Sequence, residues 1–275
     1  MTVGAEVDWA ARWRAIYAAR NEQQKRTRQR EGDFWSGCSE MFARGIDAPD
    51  AIRDLILAQI EPGDSVLDVG AGSGRYSIPI AARAREVIAV EPSPGMGEAL
   101  RTEAGRRGVE NVRLVQSAWL DAAVAPADVV LCAHVLYFTP AVEDFLRKLD
   151  GHAGRVCMAV IRVDQMQANL AELFEQIWGE PQAPEPSFID LFNVLYQIGI
   201  VADVAIRRGG GGGPSRFATL DDAVAAATRF LSPPDEVARA KIRPFLQTHL
   251  RPAPDGGLAF GQSSPRVALI SWNKG

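Results

Sequence analysis

Two carboxylates and three glycines are spaced so that they could hold a nucleotide-like ligand. Gly70, Gly72 and Gly74 follow a short apolar run, and Asp68 lies near the end of that run, two residues before the first glycine. Glycines at this spacing let the backbone turn tightly and approach a ligand closely. Glu91 ends a second apolar run 21 residues after Gly70. A strand–helix–strand unit places an acid there that accepts hydrogen bonds from ribose hydroxyls.

The residue types around the turn disfavour a dinucleotide. A dinucleotide-binding turn has a small residue at its third glycine-like position, and this chain has Arg75 there. Asp68 would repel a pyrophosphate placed on the turn, whereas it would attract a cofactor with a cationic amino-acid part. The pattern therefore favours a nucleoside cofactor that carries a positive charge.

Two stretches resemble the first two motifs of class I S-adenosylmethionine-dependent methyltransferases. They are Val-Leu-Asp-Val-Gly-Ala-Gly-Ser-Gly at 66–74 and Val-Ile-Ala-Val-Glu-Pro-Ser at 87–93. The resemblance covers residues 60–162 well and continues weakly towards residue 275. Residues 191–197 are also similar to a group of uncharacterised bacterial and archaeal methyltransferases of small-molecule type. The resemblance implies methyl transfer from S-adenosylmethionine, with S-adenosylhomocysteine as product, and says little about the acceptor.

The same resemblance implies roles for individual residues. The turn at Gly70–Gly72 would pass beneath the methionine part of the cofactor, Asp68 would hold its amino group, and Glu91 would bind the ribose hydroxyls. Ser117 stands where many relatives carry an aspartate, so its contact with the adenine amino group would be weaker. Trp119 has two interpretations, as a cover for the adenine ring or as a core residue. The expected cofactor contacts are Asp68, Gly70, Ala71, Gly72, Gly74, Tyr76, Glu91, Pro92, Ser93, Met96, Ser117, Ala118, Trp119, Cys132 and His134.

His134 is the candidate catalytic residue. It follows a predicted strand over residues 127–133, and ligands of open α/β sheets bind beyond the carboxyl ends of the strands. An imidazole gains and loses a proton near neutral pH, which suits a general base. The alternative is that His134 only lines the cofactor pocket. Cys132 is interpreted as a small buried residue rather than a nucleophile. The candidate acceptor contacts are Trp35, Tyr137, Phe138 and Tyr196.

The composition argues against a metal-binding, a membrane-spanning or a secreted protein. The 275 residues are 47% hydrophobic, carry a net charge of −4, and include three cysteines and three histidines without metal-ligand spacing. No apolar stretch is long enough to span a membrane, and the first residues lack a signal-peptide pattern. We therefore expect a cytoplasmic protein with no metal and no membrane partner. Its oligomeric state stays open, with a homodimer as one option.

The acceptor is expected to be a small or medium organic molecule. The acidic net charge argues against a nucleic acid. The basic stretch Lys25–Arg30 is either a solvated helix end or a patch that binds RNA. Two alternatives to a small-molecule enzyme remain, an RNA methyltransferase and a regulatory protein that binds the cofactor without transferring its methyl group.

Alternating apolar strands and helices predict a Rossmann-like, doubly wound α/β fold. Its seven-stranded sheet should be mostly parallel, and the resemblance to the methyltransferase family implies that the last strand is antiparallel. We expect a helical cap over residues 1–45 and a methyltransferase domain over 46–275, with helical insertions at about 164–200 and 214–250. The run Gly209–Gly213 is predicted to be a mobile loop, with a hinge or an anion-binding nest as alternatives. The predicted strands are 64–69, 86–91, 112–116, 127–133, 154–161, 202–207 and 266–272, and the predicted helices are 6–31, 74–84, 95–107, 140–150, 165–178, 188–198, 219–231 and 234–249.

Overall fold

The structure is a computed structural model, and it describes residues 7–27, 33, 35–38, 43, 46–47, 49–165, 168–208, 216–253, 256–260 and 265–274. Its strands are β1 (Ser65–Val69), β2 (Glu86–Val90), β3 (Val112–Val115), β4 (Ala127–Ala133), β5 (Ala153–Arg162), β6 (Asp203–Arg208), β7 (Arg216–Phe217), β8 (Leu250–Pro252), β9 (Leu258–Phe260) and β10 (Arg266–Asn273). Its helices are α1 (Trp9–Thr27), α2 (Ala51–Leu57), α3 (Ser77–Ala81), α4 (Pro94–Arg106), α5 (Val142–His152), α6 (Ala171–Trp178), α7 (Phe188–Gln197), α8 (Leu220–Leu231), α9 (Glu236–Ala240) and α10 (Ile242–His249).

Seven strands form the central sheet in the order β3-β2-β1-β4-β5-β10-β6. The pairs among β1 to β5 are parallel, and β10 is antiparallel to both of its neighbours. The predicted fold class, including the antiparallel last strand, is therefore confirmed. A second sheet of three short strands, in the order β7-β9-β8, was not anticipated from the sequence.

The central strands are apolar on both faces because helices cover both faces of the sheet. Leu67 of β1 faces a core that α1, α5 and α7 complete, while the adjacent Val66 faces a second core lined by α2 and α3. Both side chains are fully buried. The sheet is therefore held rigidly, and the loops at its carboxyl edge can carry a site.

Helix α1 lies over α5 and α7 and is tied to the loop after β4. Trp13 is fully buried, and its Nε1 donates a hydrogen bond to the carbonyl oxygen of Thr139 at 2.9 Å. Trp9, Ile16 and Tyr17 of the same helix are half-buried. The buried side of α1 continues in polar residues at its carboxyl half, Arg20, Gln23 and Thr27, which the apolar pattern could not reveal.

Three helix boundaries differ from the predictions for clear physical reasons. The helix expected at 74–84 begins only at Ser77, because Gly74 adopts a φ of +91° that an α-helix excludes. The helix expected at 234–249 divides at Lys241 into α9 and α10, and Pro244 falls in the first turn of α10, where its missing amide is tolerated. The helix expected at 165–178 becomes α helical only at Ala171.

Helix α7 begins as predicted at Ser187. The amide and the hydroxyl of Ser187 both donate hydrogen bonds to Asp190, each at 2.9 Å. Residues 28–30 of the basic stretch and the run Gly209–Gly213 lie outside the described residues. In the described parts of the chain, no helix combines the length and apolarity needed to cross a membrane.

Candidate cofactor and acceptor site

The glycine turn after β1 presents bare backbone to open space. Gly70, Gly72 and Gly74 all have positive φ, at +74°, +57° and +91°, which side chains disfavour. A Cβ on Gly70 would lie 2.1 Å from a methyl carbon of Val135, whereas a Cβ on Gly72 would meet no atom within 4 Å. The amide of Gly70 donates to the carbonyl oxygen of Val90 at 2.7 Å, which fixes the turn to the end of β2. The open side at Gly72 is where a ligand can approach the backbone.

Asp68 lies beneath this turn as a buried carboxylate. Its exposed fraction is 1%, and the hydroxyl of Ser77 donates a hydrogen bond to it at 2.6 Å. Burial raises the pKa of Asp68 to about 6; the bond from Ser77 opposes the rise and the nearby carboxylate of Glu91 adds to it. A cation placed beside Asp68 would favour the ionised form.

Glu91 joins the glycine turn to the loop after β2. One carboxylate oxygen accepts a hydrogen bond from the Gly72 amide at 2.9 Å, and the other accepts one from the Ser93 amide at 2.8 Å. Burial raises the pKa of Glu91, against the effect of these two amide bonds. Each carboxylate oxygen has a second lone pair for a further donor, as two ribose hydroxyls would need.

Residues 33 and 35–38 cover the first turn of α4, and sequence reasoning did not connect them to it. The Ser93 hydroxyl caps α4 by accepting from the Met96 amide at 3.2 Å, and it donates to Asp33 at 2.5 Å. The Gly95 amide donates to the Ser36 hydroxyl at 3.0 Å. A Cβ on Gly95 would lie 2.6 Å from the Cα of Ser36. The sequence signal was the glycine directly after Pro94, which permits this close approach.

The other expected cofactor contacts differ in exposure. Trp119 is buried in the core, where its Nε1 donates to the carbonyl oxygen of Phe145 at 3.3 Å, in keeping with the core interpretation. Cys132 is fully buried, and burial raises the pKa of its thiol, in keeping with its interpretation as a small buried residue. The remaining expected contacts fall into three groups. Ser117 is half-buried, Pro92 and Ala118 are exposed, and the buried residues are Ala71, Gly74, Tyr76, Ser93 and Met96.

His134 lies directly beyond β4, as predicted, with an unusual backbone. Its φ is +61°, a left-handed value that is rare and costly for a residue other than glycine. Its amide donates to the carbonyl oxygen of Val160 on β5 at 2.9 Å. Its half-buried imidazole has Nδ1 at 3.3 Å from the hydroxyl of Tyr137. The backbone strain is held by these contacts, which fix the direction of the ring.

Two further aromatic rings follow His134 in the loop after β4, and a third, from Trp35, packs against one of them. Tyr137 is fully buried, while Phe138 is 42% exposed. The ring of Trp35 meets Phe138 edge to face at 5.2 Å between centroids. Tyr196 does not join this group: it is 72% exposed in the last turn of α7, nine residues beyond Ser187 and so about 13 Å further along the helix.

A buried ion cluster lies behind these rings and was missed by sequence reasoning. Glu185 accepts from the Arg162 guanidinium at 3.1 Å and lies 2.9 Å from the Arg20 guanidinium. The Arg162 guanidinium lies over the ring of Tyr137, 4.1 Å from its centroid. The sequence contained no local signal for the cluster, because its three members come from α1, β5 and the chain before α7.

The described residues suit a cofactor with a cationic amino-acid part and a ribose. The backbone at Gly72 is open, Asp68 can pair with an ammonium group, and Glu91 has free lone pairs. The buried hydroxyl of Ser73 in the same turn has no hydrogen-bond partner within the described structure. Such an orphaned group is expected where a polar ligand completes the site.

Comparison with known proteins agrees with this geometry. Residues 66–152 match the family described as methyltransferase domain. This match supports the resemblance to the class I S-adenosylmethionine-dependent methyltransferases and, with it, S-adenosylmethionine as cofactor and methyl transfer as activity.

Two relatives show how far sequence similarity extends. A 23S rRNA (uracil(1939)-C(5))-methyltransferase, RlmD of Alkalilimnicola ehrlichii, is 36% identical over 99 residues, which make up 36% of this chain and 20% of that protein. An uncharacterized protein of Haemophilus influenzae is 26% identical over 232 residues, 83% of this chain and 84% of that protein. The chain thus spans about a fifth of the first relative and most of the second.

Solved structures share the fold. The YcgJ protein from Bacillus subtilis superposes with a TM-score of 0.55 at 17% identity, covering 81% of this chain and 97% of that one. Magnesium protoporphyrin IX methyltransferase (ChlM) from Synechocystis with bound SAH gives 0.50 at 15% identity, covering 96% and 99%. At these identities the likeness concerns the fold alone.

Proposed function

We propose that this enzyme methylates a small or medium organic molecule with an apolar, planar part. The observation that carries the proposal is the exposed ring of Phe138, which lies beside Trp35 and close in sequence to His134 at the carboxyl end of β4. Exposed aromatic rings that line a site favour flat apolar ligands through stacking and edge contacts. Trp35, Tyr137 and Phe138 are the proposed acceptor contacts.

In the reaction, the protein would hold the cofactor, orient the two reactants and remove a proton from the acceptor. Bound S-adenosylmethionine supplies an electrophilic methyl group that a nucleophile can take by in-line displacement. Asp68 and Glu91 would hold the two ends of the cofactor, so that its position is fixed relative to β4. Good alignment of two reactants lowers a barrier by roughly 7–11 kcal/mol. His134 would accept a proton from an acceptor that arrives protonated, with Tyr137 fixing its ring.

Several observations favour this proposal over RNA methylation. Lys25 pairs with Glu22 at 2.6 Å and Arg26 with Glu180 at 3.0 Å, so the described part of the basic stretch is matched by acids. The chain as a whole is acidic, which opposes binding to phosphates. The rRNA methyltransferase relative matches only 36% of this chain.

The test is transfer of labelled methyl from S-adenosylmethionine into a metabolite extract and into total RNA, with His134→Asn as the matched control. We expect label in a small organic fraction, strongly reduced in the control. Label in RNA alone would overturn the small-molecule proposal. Cofactor binding by calorimetry with no label in either fraction would favour the regulatory alternative.

A further inference from the structure

Strand β6 forms one edge of the seven-stranded sheet, and its outer side is open. Among the described residues it pairs only with β10, which lies on its inner side. Five of its six residues are exposed, and the exposed fractions of Val204 and Ile206 are 38% and 41%. An edge strand of this kind presents backbone N–H and C=O groups with which a strand of another chain can pair.

Exposed apolar side chains concentrate next to this edge. Of the large hydrophobic residues that are exposed in the described structure, four lie within residues 196–206, namely Tyr196, Val201, Val204 and Ile206. Tyr196 is the expected acceptor contact that lies away from the aromatic rings, so the proposed methyl transfer gives it no role. A concentration of exposed apolar residues is typical of a surface at which proteins associate.

The pairing of β10 shows which backbone groups of β6 point outward. Alternate residues of an antiparallel strand direct their N–H and C=O groups to opposite sides. The carbonyl oxygen of Arg266 on β10 accepts an amide hydrogen bond from the β5 side at 3.0 Å. Leu269, three residues further on, therefore points towards β6, where it faces Ala205. Val204 and Ile206, on either side of Ala205, then direct their backbone groups to the open edge.

The stretch from Asp203 to Arg207 is complementary to an antiparallel copy of itself. A second strand centred on Ala205 would place Asp203 opposite Arg207 and Val204 opposite Ile206, each pair occurring twice by symmetry. Opposite charges and apolar residues that face each other across strands both stabilise a sheet. The same register sets the two outward-pointing residues, Val204 and Ile206, opposite one another, as a hydrogen-bonded pair requires. Within one chain, Asp203 and Arg207 lie about 13 Å apart along the strand, so this charge pair can form only between chains.

We propose that β6 is the interface of a homodimer, in which two copies of the chain join their central sheets edge to edge around a two-fold axis at Ala205. In the single chain, the Arg207 guanidinium donates a hydrogen bond to the carbonyl oxygen of Ile206 at 2.9 Å. In the dimer, that carbonyl accepts from a backbone amide of the second strand, and Arg207 pairs with Asp203 of the partner subunit. This interface does not depend on which acceptor is methylated.

The experiment is sedimentation equilibrium of the full chain and of charge-reversed variants. The parent protein should form a particle of twice the 29.8 kDa mass of one chain. Asp203→Arg and Arg207→Asp each place like charges opposite one another at two points of the interface, so each should raise the dissociation constant about tenfold or more. The variant with both substitutions restores opposite charges at both points, and its dissociation constant should return to within about threefold of the parent value.

Arg113→Asp is the matched control, at an exposed position of β3 on the opposite edge of the sheet, and it should leave the dimer intact. Far-ultraviolet circular dichroism should be the same for all variants, since the substituted side chains are exposed. A monomer at concentrations up to about 100 μM would overturn the inference. A dimer that both single variants leave unchanged would overturn it too, because the interface would then lie elsewhere. Failure of the double variant to recover the dimer would overturn the pairing of Asp203 with Arg207.

Discussion

The proposed cofactor side and the proposed acceptor side of the site are built differently. The proposed cofactor side consists of backbone and carboxylates, and Asp68, Gly72 and Glu91 lie within 24 residues of one another on one strand–helix–strand unit. The proposed acceptor side consists of aromatic rings, and it combines Tyr137 and Phe138 of the loop after β4 with Trp35, which is distant in the chain. Under this proposal the local unit can serve any reaction of the cofactor, whereas the dispersed unit selects the molecule that is methylated.

If this division holds, a substitution on one side should hardly change the affinity for the ligand of the other side. The five predictions below begin with the largest expected effect.

His134→Asn should lower kcat about 100-fold or more and change the Kd of S-adenosylmethionine less than threefold. Asparagine tolerates the positive φ of this position but cannot serve as a base, and a general base contributes about 100-fold or more. Steady-state kinetics and calorimetry on the same preparation measure both quantities. Equal losses in turnover and cofactor affinity would mean that His134 only lines the cofactor pocket.

Asp68→Asn should weaken S-adenosylmethionine binding by about 1.5–3 kcal/mol, because a charge-assisted hydrogen bond to the ammonium group is lost. In the parent protein, affinity should fall as the pH drops below about 6, where Asp68 becomes protonated. The variant should lack this pH dependence. Calorimetry between about pH 5 and pH 8, a range that includes the pKa of Asp68, provides the test.

The same variant should be more stable without cofactor. The folded pKa of about 6 exceeds the ordinary value of 3.8. The folded state therefore holds the proton more tightly, and ionised Asp68 opposes folding above pH 6. We expect the variant to gain about 1–3 kcal/mol at pH 8, with the gain disappearing as the pH falls towards 4. Thermal unfolding at several pH values would contradict this if the two proteins melt alike throughout.

Glu91→Gln should weaken cofactor binding about tenfold. The glutamine keeps one acceptor for the Gly72 or the Ser93 amide but loses the charge that strengthens bonds to ribose hydroxyls. Binding of S-adenosylhomocysteine, measured by calorimetry, is the readout. Unchanged affinity would remove Glu91 from the ribose site.

Gly95→Ala should increase the dissociation rate of S-adenosylhomocysteine about fivefold, as expected for one neutral hydrogen bond. The new Cβ would displace Ser36 from the first turn of α4. Gly105→Ala, in the same helix with no atom within 4 Å of its Cβ position, is the matched control. Stopped-flow fluorescence that finds the two variants equal would show that the contact between Ser36 and Gly95 does not retain the cofactor.

The two sides also differ in what could be predicted from the sequence. The glycine turn, Asp68 and Glu91 were found because each is tied to a strand end at fixed spacing within one unit. Arg20 and Glu185 were not found, because burying a charge depends on partners that are distant in the chain. The mostly parallel sheet was predicted from the alternation of strands and helices, and its antiparallel last strand from the family resemblance. The small sheet β7-β9-β8 has strands of only two or three residues, too short to show a pattern.

The contact between Gly70 and Val135 limits how this enzyme could change its acceptor. A methyl carbon of Val135 occupies the place that a Cβ on Gly70 would take, so the loop after β4 is wedged against the cofactor turn. A shift of this loop would therefore also displace the glycine turn, on which the cofactor is proposed to bind. With the proposed acceptor site, a new acceptor would therefore have to arise from substituted side chains, for example at Trp35 or Phe138, and not from a shifted loop.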